Sequence, residues 1–188
     1  LAVSSIAGYG FEIYHDKAKD TVMSILMLAM MVPFVAVLVP LFQMFTKAKL
    51  INSWTGFILP SIATPFLIMY FRNSARSFPR DTLEAARIDG LNEFQIFIRM
   101  FIPMMKPTYA SAATITFMGA WNAYLWPKVI MQTNEAITMP MLVANTMGGY
   151  VIDYGVVMAA VTICSLPTVI IFFCLQKSFT NAVAGAVK

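Results

Sequence analysis

The chain alternates long apolar stretches with short polar ones. Four apolar stretches, at about 21–45, 54–71, 108–131 and 154–175, are long enough to cross a bilayer, which takes about 20 helical residues. The pattern predicts an all-α membrane protein, a polytopic transmembrane helix bundle. The chain opens on Leu1 and an apolar run without the pattern of a signal peptide. We therefore expect a remnant of a further helix here and a missing upstream part.

Prolines lie inside several of these stretches, at Pro33, Pro40, Pro60, Pro65 and Pro167. In a membrane bundle, neighbouring helices and Ser/Thr side chains can satisfy the carbonyl groups that a proline leaves free. We therefore expect continuous, kinked spans.

The composition supports solvation by a lipid bilayer. Hydrophobic residues make up 59% of the chain and charged residues 12%, with a mean hydropathy of +0.72. A soluble domain carries about 25% charged residues, so this chain cannot cover its own surface with polar groups.

The basic residues are distributed unequally between the polar segments. Ten of the 13 Lys and Arg residues lie at 11–20, 72–107 and 176–188, and three lie at 46–53 and 127–153. The positive-inside rule predicts that the first set, with the loop 72–107 and the C-terminus, faces the cytoplasm. Because the net charge of +4 is not gathered on one polar face, nucleic-acid binding is not indicated.

Few residues suggest metal or redox chemistry. Cys164 and Cys174 are ten residues apart in one apolar run, about 15 Å on a helix, which is too far for a disulfide. His15 is the only histidine, and no metal-ligand spacing occurs.

The tryptophans lie near the predicted outer ends of the spans, as in an interfacial aromatic belt: Trp54, Trp121 and Trp126.

The loop 72–107 carries the signals of two short helices joined by a tight turn. Asp81 is placed to cap the first helix, with Glu84 at capping-box spacing, and Gly90 suits the left-handed position that ends it. Asn92 and Gln95 repeat the start signal. An apolar face and two terminating prolines follow, at Ile96, Phe97, Met100, Phe101, Pro103 and Pro107. Spacing alone leaves two interpretations open: a rigid element that a partner moves, or an amphipathic helix lying on the headgroups.

The complete spacing is recognisable. Glu84-Ala85-Ala86, three residues, Gly90, nine residues and then Met100–Pro103 resembles the EAA loop of ABC-importer permeases, with Met and Ile at two apolar positions of the family's Ile-x-Leu-Pro ending. Further matches resemble the carbohydrate branch, the maltose-type inner-membrane components: Ala7-Gly8-Tyr9, Met31-Val32-Pro33, Gly119-Ala120-Trp121-Asn122 and Ala184–Lys188. The resemblance implies one truncated transmembrane domain over 1–188, keeping the last four of six spans.

The resemblance also implies how the chain works. Glu84, Ala85, Ala86, Asp89 and Gly90 would form a coupling helix that docks on an ATPase subunit, with Pro103 closing the motif. Because the chain has no Gly-rich phosphate loop, ATP and Mg²⁺ would be bound by that partner, and this chain would be no enzyme and need no cofactor. The expected partners are an ATPase dimer, a second and non-identical permease, and an extracytoplasmic sugar-binding protein.

The substrate path is less sharply indicated. Trp121, Asn122 and Tyr124 offer the aromatic faces and amide groups that sugars bind, and a lipid-interface belt with a helix-packing Asn explains them as well. The outer loop at 132–153, with Gly148-Gly149-Tyr150, would contact the binding protein or seal the outer gate.

Three other functions fit parts of the pattern. The same machinery could import a polyamine, a phosphate ester or an osmolyte. An ATP-independent channel or carrier is disfavoured, because such proteins place ionisable groups within the membrane and these spans hold almost none. A scaffold without transport leaves the loop spacing unexplained.

Overall fold

The computed structural model describes the chain at residues 1–133, 136–148 and 152–186, with side chains described as far as Cys174. Every regular element in these ranges is a helix, which confirms the predicted all-α class. The helices are α1 (Ala2–Ile13), α2 (Lys17–Met30), α3 (Phe34–Lys47), α4 (Trp54–Ile58), α5 (Pro65–Ala75), α6 (Arg80–Ile88), α7 (Glu93–Ile96), α8 (Ile102–Met104), α9 (Lys106–Trp121), α10 (Leu125–Ile130), α11 (Met139–Thr146) and α12 (Tyr154–Ala186). A 3₁₀ turn, Leu59–Ser61, follows α4, and a π-helical turn, Phe97–Phe101, joins α7 to α8.

Three of the four apolar stretches expected to be continuous are each divided into two helices. The breaks fall between α2 and α3, between α4 and α5, and between α9 and α10. Pro33 is the N-cap of α3 and Pro65 begins α5. A proline is tolerated at the start of a helix, but its ring disfavours helical geometry in the residue before it, so the preceding helix ends there. Pro40 and Pro167, by contrast, lie inside continuous helices.

One helical segment is long and apolar enough to cross a membrane by itself. It is Tyr154–Cys174 of α12, with 21 residues and a mean hydropathy of 2.4. Two interrupted pairs, α2 with α3 and α4 with α5, pass the same test when each pair is taken as one span. The described residues thus hold one such span, or up to three, and the arrangement of four full spans stays a prediction.

The chain divides into two compact units. Unit 1 comprises Leu1–Met31, Ile62–Ala113 and the end of α12, and unit 2 comprises Val32–Ser61 and Thr114–Gln176. Unit 1 therefore contains the loop with the recognisable spacing, and unit 2 contains the residues proposed for the substrate path.

The core of unit 1 is an aromatic cluster around Phe101, which is fully buried. The ring centroid of Phe101 lies 4.8 Å from that of Tyr9, 5.5 Å from that of Phe97 and 5.6 Å from that of Phe78. Edge-to-face and stacked pairs of this kind add stability beyond the burial of area. The cluster joins α1, the π-helical turn and the segment that precedes α6.

Helices α1 and α5 approach so closely that Gly8 is required at their contact. A Cβ atom on Gly8 would lie 2.7 Å from the Arg72 backbone nitrogen and 2.8 Å from the Ile68 carbonyl oxygen. Ser4 and Ser5 on the same helix are buried as well. Small residues that let two backbones approach are typical of helix contacts in membranes.

The core of unit 2 contains a tryptophan that we predicted at the membrane interface. Trp126 is buried against Phe45 and Ile130, and its indole N–H donates to the Phe57 carbonyl oxygen at 3.2 Å. The aromatic-belt prediction is therefore wrong for Trp126, because its ring fills the core. Trp54 is 66% exposed.

Replacing Gly8 with alanine should destabilise the protein, since the new methyl group meets backbone atoms that cannot move aside. Overpacking of this kind costs about 1–3 kcal/mol. Gly10→Ala is the matched control on the same helix, because no atom lies within 4 Å of the position that its new methyl group would take. Thermal unfolding of the purified protein in detergent measures both, and equal melting temperatures for the two variants would contradict the close contact.

Candidate functional site

The predicted coupling helix is α6, and it starts differently from the expectation. Pro79 is its N-cap, no side chain caps it, and Asp81 lies in the first turn. The predicted capping box of Asp81 with Glu84 is therefore wrong. Pro79 has a fixed φ and an extended ψ of 123°, so it ends the preceding segment and the helix begins at once. Asp81 still interacts favourably with the positive end of the helix dipole.

The C-terminal end of α6 has the predicted geometry. Gly90 has a φ of +81°, its N–H donates to the Arg87 carbonyl at 3.1 Å, and the Leu91 N–H donates to the Ala86 carbonyl at 3.0 Å. These two bonds form a Schellman motif, which needs a left-handed residue at this position. No atom lies within 4 Å of a Cβ built on Gly90, so the backbone angle and not space selects glycine.

The second helix start also has the predicted form. The Asn92 side chain accepts from the Gln95 N–H at 2.9 Å, and the Gln95 side chain accepts from the Asn92 N–H at 3.0 Å. This reciprocal capping box fixes the entry into α7. The turn between α6 and α7 is thus hydrogen-bonded on both sides of Gly90.

The predicted coupling residues divide between the two faces of α6. Glu84, Ala85, Asp89 and Gly90 are exposed. Ala86 is only 3% exposed and packs into the core of unit 1. Its side chain therefore seats the helix rather than facing a partner.

A shallow cavity of about 370 Å³ lies beside α6. It is lined by Asp81, Thr82, Ala85, Ala86, Asp89, Leu91 and Met100. Pro103, the last residue of the recognised spacing, is exposed in α8 and is not one of these lining residues.

Sequence reasoning missed Ile88, the last residue of α6. Ile88 is 86% exposed, more than any other large hydrophobic residue of the described chain. It follows Glu84 by four positions, and residues at that spacing share a helix face. An apolar residue four positions after Glu84, on the polar face of a short helix, was the signal in the sequence, because such a residue offers a partner an apolar contact.

An ion pair ties α6 to α7 across the Gly90 turn. The Arg87 Nε donates to Glu93 Oε1 at 2.8 Å. Burial opposes ionisation of Glu93, but the neighbouring Tyr14 hydroxyl and Arg87 guanidinium outweigh it and hold the pKa of Glu93 below its ordinary value. Burial and the nearby Glu93 carboxylate raise the pKa of Tyr14 to about 12. Tyr14 is the C-cap of α1, so the group joins three helices.

The residues predicted for the substrate path lie where α9 gives way to α10. The Trp121 ring stacks on Phe117 with centroids 5.9 Å apart, and its indole N–H donates to the Cys164 carbonyl at 2.9 Å. Asn122 follows α9 directly, and its side chain donates to the Met118 carbonyl of that helix. The side chains of Trp121 and Asn122 thus make contacts with helices, and Tyr124 is 40% exposed. A role of these three residues in binding the substrate stays a prediction.

The loop 132–153, expected on the outer side, contains the short helix α11. Gly149 and Tyr150, named in that expectation, lie outside the described residues. Cys164 and Cys174 are free thiols. The described residues hold no group of three or more His, Cys, Asp or Glu side chains able to bind a metal ion.

Comparisons with known proteins agree over nearly the whole chain. Residues 1–185 match the family model described as binding-protein-dependent transport system inner membrane component. The lactose transport system permease protein LacG of Rhizobium radiobacter is 42% identical over 188 residues, covering 100% of this chain and 69% of that protein. The arabinooligosaccharides transport system permease protein AraQ of Bacillus subtilis is 35% identical, covering 100% of this chain and 67% of that protein.

A solved structure shows the same fold. A crystal structure of a bacterial ABC transporter involved in the import of the acidic polysaccharide alginate matches 93% of this chain and 69% of its own, with a TM-score of 0.81 at 23% identity. At that identity the likeness concerns the fold alone. Proteins of this family are transport components without cofactors of their own, and ATP hydrolysis belongs to a separate subunit. The chain belongs to the family of binding-protein-dependent transport system inner membrane components, and it is a membrane permease component and not an enzyme.

Proposed function

We propose that the chain is the permease subunit of an ATP-binding-cassette importer that carries a sugar, a mono- or oligosaccharide, into the cytoplasm. The observation that carries the proposal is α6, a short exposed helix with Glu84, Ala85 and Gly90 at the recognised spacing and with a Schellman end. The similarity of the whole of this chain to permeases of lactose and arabinooligosaccharide transport supports sugar as the cargo.

The ATPase subunit is the partner that fits α6. Its exposed face presents a carboxylate at Glu84, a small surface at Ala85 and an apolar side chain at Ile88. A partner can approach the helix closely at Ala85 and bury Ile88. The ten basic residues of the segments 11–20, 72–107 and 176–188 support a cytoplasmic position for this face.

The remaining partners complete the importer. A second, non-identical permease would pair with this chain in the inner membrane, and an ATPase dimer would bind ATP and Mg²⁺ for both. A sugar-binding protein would deliver the cargo at the outer side, near the loop 132–153. Trp121, Asn122 and Tyr124 remain the proposed contacts along the substrate path.

The buried side of α6 supports transmission of motion. Leu83 and Ala86 pack in the core of unit 1 with Phe78 and Phe101, and Arg87 pairs with Glu93 across the turn. A movement of α6 caused by a partner on its exposed face is therefore transmitted to α1 and the π-helical turn through close contacts, without a flexible link.

The cargo is tested by uptake into vesicles that contain the full-length protein with its permease, ATPase and binding-protein partners. A panel of labelled di- and oligosaccharides should include substrates whose uptake requires ATP, because the ATPase drives the cycle. A phosphate ester, a polyamine and an osmolyte serve as comparison solutes. ATP-driven uptake of one of these with none of any sugar would overturn the sugar proposal, and uptake that continues without ATP would overturn the importer.

Replacing Gly90 with valine should abolish uptake and stimulation of the ATPase while membrane insertion stays normal. A β-branched residue held at a φ of +81° stores about 1–3 kcal/mol of strain, which the short turn would release by changing shape. Gly90→Asn is the matched control, since Asn tolerates the left-handed region. Glu84→Lys, which reverses the charge on the exposed face, should act like Gly90→Val. Normal uptake by Gly90→Val would count against the coupling role of α6.

Adjacent alanines of α6 provide a docking test. Ala85 is exposed and Ala86 is buried, so Ala85→Cys should form a disulfide crosslink with cysteines placed on the ATPase surface and Ala86→Cys should not. Crosslinked product is measured by mobility on a denaturing gel in active complexes whose Cys164 and Cys174 are replaced by serine. Equal crosslinking of both variants, or of neither, would contradict docking through the exposed face.

A further inference from the structure

A buried arginine joins three helices of unit 1. Arg72 on α5 is 5% exposed. Its Nε donates to Glu12 Oε2 at 3.3 Å, and its Nη2 donates to Asp20 Oδ1 at 2.6 Å. Glu12 belongs to α1 and Asp20 to α2. One guanidinium group therefore connects both helices to α5.

The chemistry of this cluster requires an arginine. A guanidinium is planar and donates in fixed directions from separate nitrogens, so it can hold two carboxylates at once, whereas an ammonium group is a single point charge. Glu12 also accepts from Arg76 at 3.3 Å, and Asp20 also lies 2.9 Å from His15 Nε2. Two arginines and two carboxylates balance each other, which makes burial of Arg72 tolerable.

The ion pair matters most for α2. Helix α1 already packs closely on α5 through Gly8 and the buried Ser4 and Ser5. Helix α2 has only one buried residue, Met23, among its 14 residues. Apolar packing therefore holds α2 weakly within unit 1, and the ion pair of Asp20 with Arg72 links it to α5.

Helix α5 leads directly into the proposed coupling helix. Four residues separate its end at Ala75 from the start of α6 at Arg80. Ala75 and Phe78 lie in the same buried core as Leu83 of α6. The Phe78 N–H donates to the Ala75 carbonyl at 3.1 Å, so the connection is packed and hydrogen-bonded.

We propose that Arg72 is a positioning residue which, through Glu12 and Asp20, fastens α1 and α2 to α5, so that movement of α6 carries the three helices as one body. The inference rests on the proposed coupling role of α6. It assigns Arg72 a mechanical function beyond its contribution to the basic charge of the loop.

The test measures a distance between spin labels in the assembled complex. Labels are attached through Ile25→Cys on α2 and Asn73→Cys on α5, both exposed positions, in a protein with Cys164 and Cys174 replaced by serine. Pulsed electron paramagnetic resonance is recorded without nucleotide and after trapping with ATP and vanadate. The unsubstituted cluster should give one narrow distance distribution that is the same in both states.

Single substitutions then separate positioning from general structure. Asp20→Asn should broaden the distribution or make it change between the two states, and Asp20→Glu should restore the narrow one. Asp16→Asn is the matched control, because Asp16 pairs with Lys19 of the helix that it caps and asparagine still caps α2. Arg72→Lys keeps a positive charge in the cluster and should broaden the distribution as well, since it cannot hold both carboxylates.

The outcomes distinguish the inference from the function beneath it. If Asp20→Asn and Arg72→Lys give the same distribution of spin-label distances as the protein with the intact cluster, the inference is overturned. A distance that changes with nucleotide while the cluster is intact also overturns it. Failure of the ATPase to copurify with the unsubstituted chain, or of Ala85→Cys to crosslink to it, overturns the coupling role of α6 and the inference with it.

Discussion

The aromatic packing around Phe101 is the interaction on which the exposed site depends. Helix α6 has nine residues, and an isolated helix shorter than about 12–15 residues is only marginally stable in water. Its stability therefore comes from burying Leu83 and Ala86 on the cluster of Tyr9, Phe97 and Phe101. Because Leu83 and Ala86 hold the inner face against this core, the outer face stays exposed and presents Glu84, Ala85 and Ile88.

Charged groups have two distinct roles in unit 1. Arg80 and Arg99 belong to the basic segments from which we predict a cytoplasmic position for this region. Arg72 and Arg87 form specific ion pairs between helices, with Asp20 and Glu12 in one case and Glu93 in the other. Both arginines lie in the last turn of a helix, Arg87 in α6 and Arg72 in α5, which leads into it. The charges of this region thus support the predicted orientation, and two of its arginines connect helices.

Unit 2 depends on indole groups that donate to backbone carbonyls. Trp121 donates to Cys164, three residues before Pro167 in α12, and Trp126 donates to Phe57. Pro167 has no N–H to donate to the carbonyl four residues before it, that of Ile163, so Trp121 donates one residue away from the disturbed position. An indole N–H in an apolar environment also needs an acceptor. These contacts explain why two tryptophans that resemble an interfacial belt in sequence serve helix packing.

The sequence by itself determined the all-helical class, the turn at Gly90, the capping box of Asn92 with Gln95 and the family, because each depends on local spacing or on the choice of a residue type. Only the tertiary structure decided which residues face inward and which helices meet. It buried Ala86 and Trp126, exposed Ile88, placed the N-cap of α6 at Pro79 and not at Asp81, and divided three apolar stretches. It also brought Arg72 to Glu12 and Asp20 from about 50 to 60 positions away in the chain. Contacts between such distant residues depend on how the helices pack, and a pattern of neighbouring residues does not encode them.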